Sequence, residues 1–343
     1  MELWGRNYTR RELEGFTGDL RQIADIRLVT LDDGMERGVR VAEVRTGSGF
    51  DFTVLLDRAM DIGTATFNGV PIAWQSGTGA ANPSRYEPSS KGWLRTFHGG
   101  LLALCGLSQA GAANTDPETG EELGLHGRIG TVPAQDIRIE RVWLKDDQWV
   151  MRLSGTVDEV SLFGWRLRLE RIMEFTPGQP AVLIHDRVRN MGGLPAPLMV
   201  LYHCNFGWPL VSPDSEIISP SKNIKPRDAV AEPGIGQWHK LQKPTPGYAE
   251  QVFFHYTEPS EQLLSASIVN KALELGLSVL FDSRTLPYLT EWKQMGYSDY
   301  VVGLEPGNCL PMGRTEARTA KQLRMLPPGE TDTFTIGFQV FKP

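Results

Sequence analysis

The chain of 343 residues contains few cysteines and no long apolar run. Cys105, Cys204 and Cys309 form no CxxC pair, so neither a disulfide scaffold nor a zinc knuckle is indicated. No stretch reaches the roughly 18 apolar residues of a membrane span. Residues 1–20 carry charges throughout and lack the apolar region of a secretory signal. We therefore expect a cytoplasmic protein without a membrane partner.

The sequence also lacks a basic block. Its 35 basic and 41 acidic side chains give a net charge of −6, which argues against a nucleic-acid partner. Hydrophobic residues make up 41% and charged residues 22% of the chain, a composition that excludes disorder and coiled coil.

Common nucleotide-binding and nucleophile motifs are absent as well. There is no GxGxxG, GxxxxGK[ST], GxSxG or HExxH segment. Residues 219–222 match SxxK, but prolines surround them where that chemistry requires a helix start, so we interpret the match as chance.

Glycine and proline are abundant instead, with 36 and 23 residues, and they favour a turn-rich, all-β chain. Short runs of alternating polarity recur, and Asn68-Gly69 is a strong hairpin signal. Thr9 and Glu12 have the spacing of a capping box for one short helix. No βαβ alternation or repeat is present. We predict one large antiparallel β-sandwich domain spanning residues 1–343, with few short helices and long loops at 75–98 and 211–248.

Glu305 is the most informative polar residue in this pattern. It ends the apolar run DYVVGLE and precedes Pro306-Gly307. If it is partly buried there, its pKa rises from the ordinary ~4.3 toward the range useful to a general base. The alternative is a strand-end carboxylate that faces water.

A second group of polar residues lies in LYHCNFGWP, where His203 ends an apolar strand with Asn205 and Trp208 nearby. A histidine beside aromatic rings suits a sugar, which offers a C–H face for stacking and hydroxyls for hydrogen bonds. His203 could equally be a core histidine with satisfied hydrogen bonds.

His126 and Arg128 stand in GLHGRIG, where glycines let a ligand approach the backbone closely. Taken singly, His126 fits a loop hydrogen-bond partner and Arg128 a surface charge. His98, beside Gly99 and Gly100, is either a ligand contact or a turn residue.

The order of these segments resembles a known family. HGGLLALCGL, GLHGRIG, LYHCNFG and GLEPG, with the early DRAMDIGTATFNGVPIAW, are similar to the galactose mutarotase-like superfamily, which includes aldose 1-epimerases and hexose-6-phosphate mutarotases. More narrowly, the chain resembles an aldose 1-epimerase-related branch of unknown function. The resemblance covers nearly the whole chain and implies a large β-supersandwich with its active site on one sheet.

The resemblance also implies roles for individual residues. Glu305 matches the general base and His203 the general acid of a mutarotase. His126 and Arg128 match a substrate-contacting pair. His98 falls where some members place an arginine, a departure that puts a phosphorylated substrate in doubt unless Arg95 compensates.

Anomer interconversion needs a base for the C1 hydroxyl proton and an acid for the ring oxygen. Each positioned group contributes about 10²- to 10⁴-fold. His126 and Arg128 would hold the substrate, and Asn205 and Trp208 would line the same site. The expected partner is a small carbohydrate, and no metal or organic cofactor is required. A homodimer is one alternative for an oligomeric state that the sequence leaves open.

Three functions compete at this point. The first is a mutarotase or related epimerase acting on a free sugar. The second is a lyase or isomerase that uses Glu305 and His203 on an unusual sugar. The third is a carbohydrate-binding protein that relies on Trp208, Trp238 and Trp292. A metal site built from His126, His203 and Glu305 is a further alternative.

Overall fold

The computed structural model describes residues 1–145 and 147–343. Over these residues the chain forms 25 strands, two short α-helices and six 3-10 turns. Every strand pair is antiparallel, which confirms the predicted all-β class with few short helices.

The strands of the first part of the chain are β1 (Glu2–Leu3), β2 (Arg6–Asn7), β3 (Asp25–Thr30), β4 (Arg40–Arg45), β5 (Phe50–Leu55), β6 (Asp61–Phe67), β7 (Val70–Pro71), β8 (Ala103–Cys105), β9 (Asn114–Thr115) and β10 (Glu122–Leu123). The long central strands are β11 (Gln135–Trp143), β12 (Trp149–Val160), β13 (Arg166–Phe175), β14 (Ala181–Asn190), β15 (Ala196–Leu198), β16 (Leu201–Phe206), β17 (Ser215–Ile218) and β18 (Asn223–Pro226). The last strands are β19 (Gln251–Tyr256), β20 (Leu264–Asn270), β21 (Leu275–Phe281), β22 (Tyr288–Met295), β23 (Tyr300–Gly307), β24 (Arg324–Leu326) and β25 (Thr331–Phe341).

The helices are short and lie outside the sheets. The two α-helices are α1 (Arg10–Phe16) and α2 (Arg314–Thr319). The 3-10 turns are Leu20–Gln22, Gly34–Glu36, Pro83–Arg85, Gly92–Arg95, Ile129–Thr131 and Glu232–Gln237.

Three sheets carry the architecture. An eight-stranded sheet has the order β11-β12-β13-β14-β25-β21-β20-β17, and a six-stranded sheet has the order β18-β19-β22-β23-β16-β8. A five-stranded meander, β3 to β7, joins the edge of the six-stranded sheet through the bridge between Ile62 and Leu102. Three further pairs are two-stranded.

The main hydrophobic core includes residues from Leu3 to Val340. It takes its side chains from the eight-stranded sheet and from one face of the six-stranded sheet, here called the inner face, which carries Tyr202, Val302 and Leu304. The opposite face, here called the outer face, has a separate cluster that includes Ala103, Leu201, Trp93 and Phe97. Because successive strand residues alternate between faces, His203 and Glu305 belong to the outer face.

Several local predictions are confirmed. Asn68 and Gly69 have φ values of 49° and 81°, and Phe67 pairs with Val70, as in a two-residue hairpin whose turn residues both have positive φ. Thr9 and Glu12 form the capping box of α1. Asp146, in the connection between β11 and β12, lies outside the described residues.

The predicted loop at 211–248 is partly wrong, because it contains β17, β18 and the turn Glu232–Gln237. Pro233, Gly234 and Gly236 lie within the turn Glu232–Gln237, and β18 is an edge strand that tolerates Pro226 at its end. The segment 75–98 contains two 3-10 turns and no long strand, as a loop prediction requires.

A buried ionic network ties the layers together. Arg171, on β13, donates two hydrogen bonds to Asp186 on β14, at 2.9 and 2.7 Å, and the hydroxyl of Tyr202 donates to the same carboxylate at 2.7 Å. Arg171 also donates to the carbonyls of Ala59 and Met60, which have positive φ in the turn before β6. One guanidinium therefore connects the eight-stranded sheet, the six-stranded sheet and the meander.

We predict that Arg171→Met lowers the free energy of unfolding by about 3–5 kcal/mol, since it leaves a buried carboxylate without its cation. Arg168→Met is the matched control on the same strand, because Arg168 forms a similar two-bond pair with Asp158 but is partly exposed. That variant should lose at most about 1 kcal/mol. Urea denaturation measures both, and equal losses would contradict this role for Arg171.

Candidate active site

Glu305 and His203 face each other across two central strands of the six-stranded sheet. Cys204 pairs with Leu304 in the register of β16 and β23, so His203 lies next to Glu305 on the outer face. The imidazole Nε2 is 3.2 Å from the carboxylate Oε1. The residues are 5% and 2% exposed. Two long antiparallel strands thus hold an acid–base pair in contact, more than a hundred residues apart in sequence.

Small residues leave room around Glu305. Gly303 and Gly307 are its neighbours on the same face of β23, and a Cβ atom at Gly303 would lie 2.5 Å from the Glu305 Oε1. The absence of a side chain at Gly303 therefore lets the carboxylate lie back over its own strand. On the next strand, Thr290 is directly opposite Glu305.

Aromatic rings surround the histidine. The ring centroids of Phe97, Trp292 and Trp93 are 5.2, 5.3 and 6.2 Å from that of His203. Trp93 and Phe97 stack on each other at 4.1 Å, and both come from the loop segment before β8. The pair is consequently bounded by apolar faces that exclude water.

His126 reaches the same place from the loop between β10 and β11. Its ring is 5.6 Å from His203 and 4.6 Å from Trp93. Its φ is +58° and that of Gly127 is +75°. A Cβ atom at Gly127 would lie 2.2 Å from the carbonyl oxygen of Gln109, so this turn requires glycine.

Burial shifts the pKa values of these groups toward their neutral forms. The pKa of Glu305 is raised well above its ordinary value, first by burial and then by the negative charge of Glu250. Burial lowers the pKa of His203 to about 3, with a further contribution from His126, and lowers that of His126 to about 4. We infer that the resting pair is a neutral carboxyl group beside a neutral imidazole.

Polar atoms without a hydrogen-bond partner cluster around the pair. A buried polar atom left unpaired costs about 1–3 kcal/mol, so such atoms are rare in structural positions. Among the described residues, those at or near the site are Thr96 Oγ1, both ring nitrogens of His98, Nδ1 of His126, Nδ1 of His203, Oδ1 of Asn205, Thr290 Oγ1 and Glu305 Oε1. The 3.2 Å contact of Glu305 Oε1 with His203 is therefore close but not aligned as a hydrogen bond. The hydrogen-bonding capacity of these buried atoms is therefore unused within the protein.

A second buried His–Glu pair provides a comparison within the molecule. His255 Nε2 lies 3.0 Å from Glu291 Oε2, and His255 Nδ1 is bonded to the hydroxyl of Ser219 at 2.8 Å. Both ring nitrogens of His255 thus have partners, whereas Nδ1 of His203 has none. By this measure His255 is a structural histidine and His203 is not.

The structure brings together some of the predicted residues. Glu305, His203 and His126 converge, and Asn205 lies one position along β16 on the same face. Its amide nitrogen donates to the carbonyls of Gly99 and Gly100 at 3.2 and 3.1 Å, which attaches β16 to the His98 loop. His98 is buried beside Phe97, with its pKa well below the ordinary value because of burial.

Three predicted residues lie elsewhere. Arg128 is exposed and lines a cavity of about 640 Å³ with Trp165 and Arg166. Arg95 is exposed and pairs with Glu87 at 3.3 Å. Trp208 is 72% exposed, beyond the end of β16. In this conformation none of the three side chains contacts the pair.

Sequence reasoning missed several residues at the site. Trp93 and Phe97 precede His98 in the sequence. Two aromatic residues four positions apart, next to HGG, were the signal that could have indicated their place at the site. Thr290 was missed with its strand, because YLTEWKQM contains the buried charges Glu291 and Lys293 and does not read as an apolar run.

Within residues 1–145 and 147–343, no group of three or more His, Cys, Asp or Glu side chains is arranged to hold a metal ion. Nor does any described helix combine the length and apolar character needed to cross a membrane.

A family model described as "Domain of unknown function (DUF4432)" matches residues 36–340. The chain belongs to this DUF4432 family. No curated protein matches it.

Solved structures give the fold of this DUF4432 member an independent comparison. A candidate aldose 1-epimerase from Klebsiella pneumoniae subsp. pneumoniae MGH 78578 is 27% identical with a TM-score of 0.86, over 92% of this chain and 83% of that one. A galactose mutarotase-like protein from Clostridium acetobutylicum is 12% identical with a TM-score of 0.67, over 94% and 100%. Galactose 1-epimerase from Lactobacillus acidophilus NCFM is 13% identical with a TM-score of 0.59, over 93% and 99%. The predicted resemblance and the galactose mutarotase-like sandwich are confirmed.

We predict that Glu305→Gln stabilises the fold more at pH 8 than at pH 4. The ordinary pKa of 4.5 is raised in the folded state. The folded protein therefore keeps a proton that the unfolded chain has released, and stability falls as the pH rises above about 4.5. Glutamine removes this loss. Thermal unfolding of both proteins across pH 4–8 measures it, and destabilisation by Glu305→Gln at pH 8 would indicate an ionised pair instead.

Proposed function

We propose that this DUF4432 member is a mutarotase of the aldose 1-epimerase type, which interconverts the anomers of a sugar. Glu305 is the general base and His203 the general acid. The single observation that carries the proposal is their contact at 3.2 Å inside an aromatic, water-poor site on one sheet face. Mutarotation requires one acid and one base within reach of adjacent oxygens, and no bound redox group.

The surroundings fit a pyranose. Its apolar C–H face can stack against the rings of Trp292, Trp93 or Phe97. Its hydroxyls can then pair with polar atoms that have no protein partner, including those of Thr290 and Asn205. An aromatic wall opposite a row of unpaired donors and acceptors is typical of carbohydrate recognition.

The proton steps balance within the pair. Transfer of the carboxyl proton of Glu305 to His203, whose Nε2 lies 3.2 Å from the carboxyl group, gives a Glu305 carboxylate and a His203 imidazolium. The carboxylate removes the proton from the C1 hydroxyl, the bond from C1 to the ring oxygen breaks, and that oxygen takes the imidazolium proton. The open aldehyde rotates about C1–C2, and the reverse steps close the ring on the other face of C1.

His126 assists by holding the substrate. Its ring is beside both His203 and Trp93, and its low pKa makes it neutral, so it can donate or accept a hydrogen bond without repelling the imidazolium. Asn205 and His98 support the same loop and strand. Arg128, Arg95 and Trp208 would contact substrate only if the ligand extends well beyond the acid–base pair.

The named relatives support this choice of reaction. The Klebsiella protein is a candidate aldose 1-epimerase, and the Lactobacillus protein is a galactose 1-epimerase. At identities of 27% and 13%, these names support the class of reaction. The identity of the sugar depends on the side chains described above.

We predict that Glu305→Gln and His203→Ala each slow anomerisation at least about tenfold while leaving sugar binding largely intact, because each removes one proton-transfer group. NMR saturation transfer or polarimetry on a panel of free aldoses measures the rate. Glu174→Gln and His185→Ala are controls on the eight-stranded sheet and should leave it unchanged.

Failure to accelerate any aldose would contradict the proposal. Sugar binding retained in that case would favour a carbohydrate-binding protein. Exchange of a carbon-bound proton into heavy water without anomerisation would favour a lyase or an isomerase acting at another carbon.

A further inference from the structure

A chain of three polar contacts leads from the solvent to the ring beside His203. The indole Nε1 of Trp292 donates to Glu250 Oε2 at 2.8 Å. Glu250 Oε1 accepts from Arg227 Nη2 at 3.1 Å, and Arg227 Nε donates to Asp228 at 2.7 Å. Neither the family match nor the relatives' names assign a role to these residues.

The sheet register places this chain on the outer face. Val252 pairs with Trp292, so Glu250, two residues before Val252, lies on the same face as the indole. The backbone nitrogen of Arg227 donates to the carbonyl of Val252 at 2.9 Å, which holds β18 beside it. Strands β18, β19 and β22 therefore bring the three side chains together.

Trp292 is the ring whose orientation matters. It meets His203 edge to face at 5.3 Å and Trp74 at 6.3 Å. It is only half-buried, so packing alone leaves the indole some freedom, and its single polar atom is held by Glu250. Loss of that acceptor frees the ring that bounds the imidazole.

We propose that Glu250, braced by Arg227, is a positioning residue that fixes Trp292 against His203. This inference rests on the proposed mutarotase function. Glu250 acts through the indole and does not itself transfer a proton. Glutamine at this position keeps an oxygen acceptor for the indole, whereas alanine removes it.

The same two residues set the charge near Glu305. The titratable groups near Glu305 on the outer face are His203, His126, Cys105, Cys309, Arg227 and Glu250, and Cys204 lies behind the strand on the inner face. The histidines and thiols are neutral near pH 7, since burial lowers the pKa of the former and raises that of the latter. Glu250 raises and Arg227 lowers the pKa of Glu305. Removal of the Glu250 charge should therefore lower the pKa of Glu305, and removal of the Arg227 charge should raise it. The two changes displace the pH profile in opposite directions.

The test compares Glu250→Ala, Glu250→Gln and Arg227→Gln with the wild type. For Glu250→Ala we expect kcat to fall at least about fivefold with KM changed less than about threefold, because the freed Trp292 ring no longer fixes His203 while most sugar contacts stay. Glu250→Gln should recover kcat to within about threefold of wild type. Glu174→Ala, a partly exposed carboxylate paired with Arg152 on the other sheet, is the control.

Two further readouts separate positioning from a general structural role. The pKa seen in kcat/KM for Glu305 should fall in Glu250→Gln and rise in Arg227→Gln. The indole N–H signal of Trp292 is assigned by its loss in Trp292→Phe. In Glu250→Gln this signal should keep its chemical shift and its slow hydrogen exchange. In Glu250→Ala its chemical shift should change and its hydrogen exchange should become fast.

The indole signal needs no catalysis, so it tests the inference even if the wild type anomerises no sugar and the proposed function fails. An unchanged indole signal in Glu250→Ala would overturn the inference. So would a Glu250→Gln variant as slow as Glu250→Ala, because the carboxylate itself would then be required.

Discussion

The hydrogen-bonded contact between Arg171, Asp186 and Tyr202 fixes the relation between the sheets on which the rest of the structure depends. Tyr202 precedes His203, and its side chain points inward while that of the histidine points outward. The ionic network below the six-stranded sheet therefore sets the depth and rotation of the strand that carries the proposed acid. A buried guanidinium between two layers is tolerated only with its partners complete, which makes the position of this strand hard to alter.

Above that network, the His203–Glu305 pair has the opposite character. Its surroundings are apolar, its partners are incomplete, and burial favours the neutral form of both groups. Desolvation favours a neutral carboxyl group and a neutral imidazole 3.2 Å apart, and a proton that moves between them leaves the net charge of the pair unchanged. The fully partnered His255 on the inner face shows that the same fold can satisfy a histidine when no ligand is needed.

Much of this arrangement could be predicted from the sequence. Alternating polarity identified the long strands, and Asn68-Gly69 and the Thr9–Glu12 box identified local turns and caps, because these signals depend on neighbouring residues. Glu305, His203 and His126 stood out as polar groups within apolar or glycine-rich segments. Arg128 did so equally, yet its side chain is exposed and lines a separate cavity, a placement that residue spacing does not encode when His126 and Gly127 both have positive φ. The strand carrying Trp292 was missed because its inner face buries Glu291 and Lys293, whose partners come from distant segments.

The glycine at position 303 has a consequence for how this strand can vary. A methyl group there would meet the oxygen of Glu305 before it met any other atom. The absence of a side chain at position 303 therefore provides the space that the carboxylate occupies. The GLEPG segment therefore depends on the missing side chain at position 303 as much as on its carboxylate. A chain could lose this chemistry by gaining a single carbon atom at that position while keeping every titratable group in place.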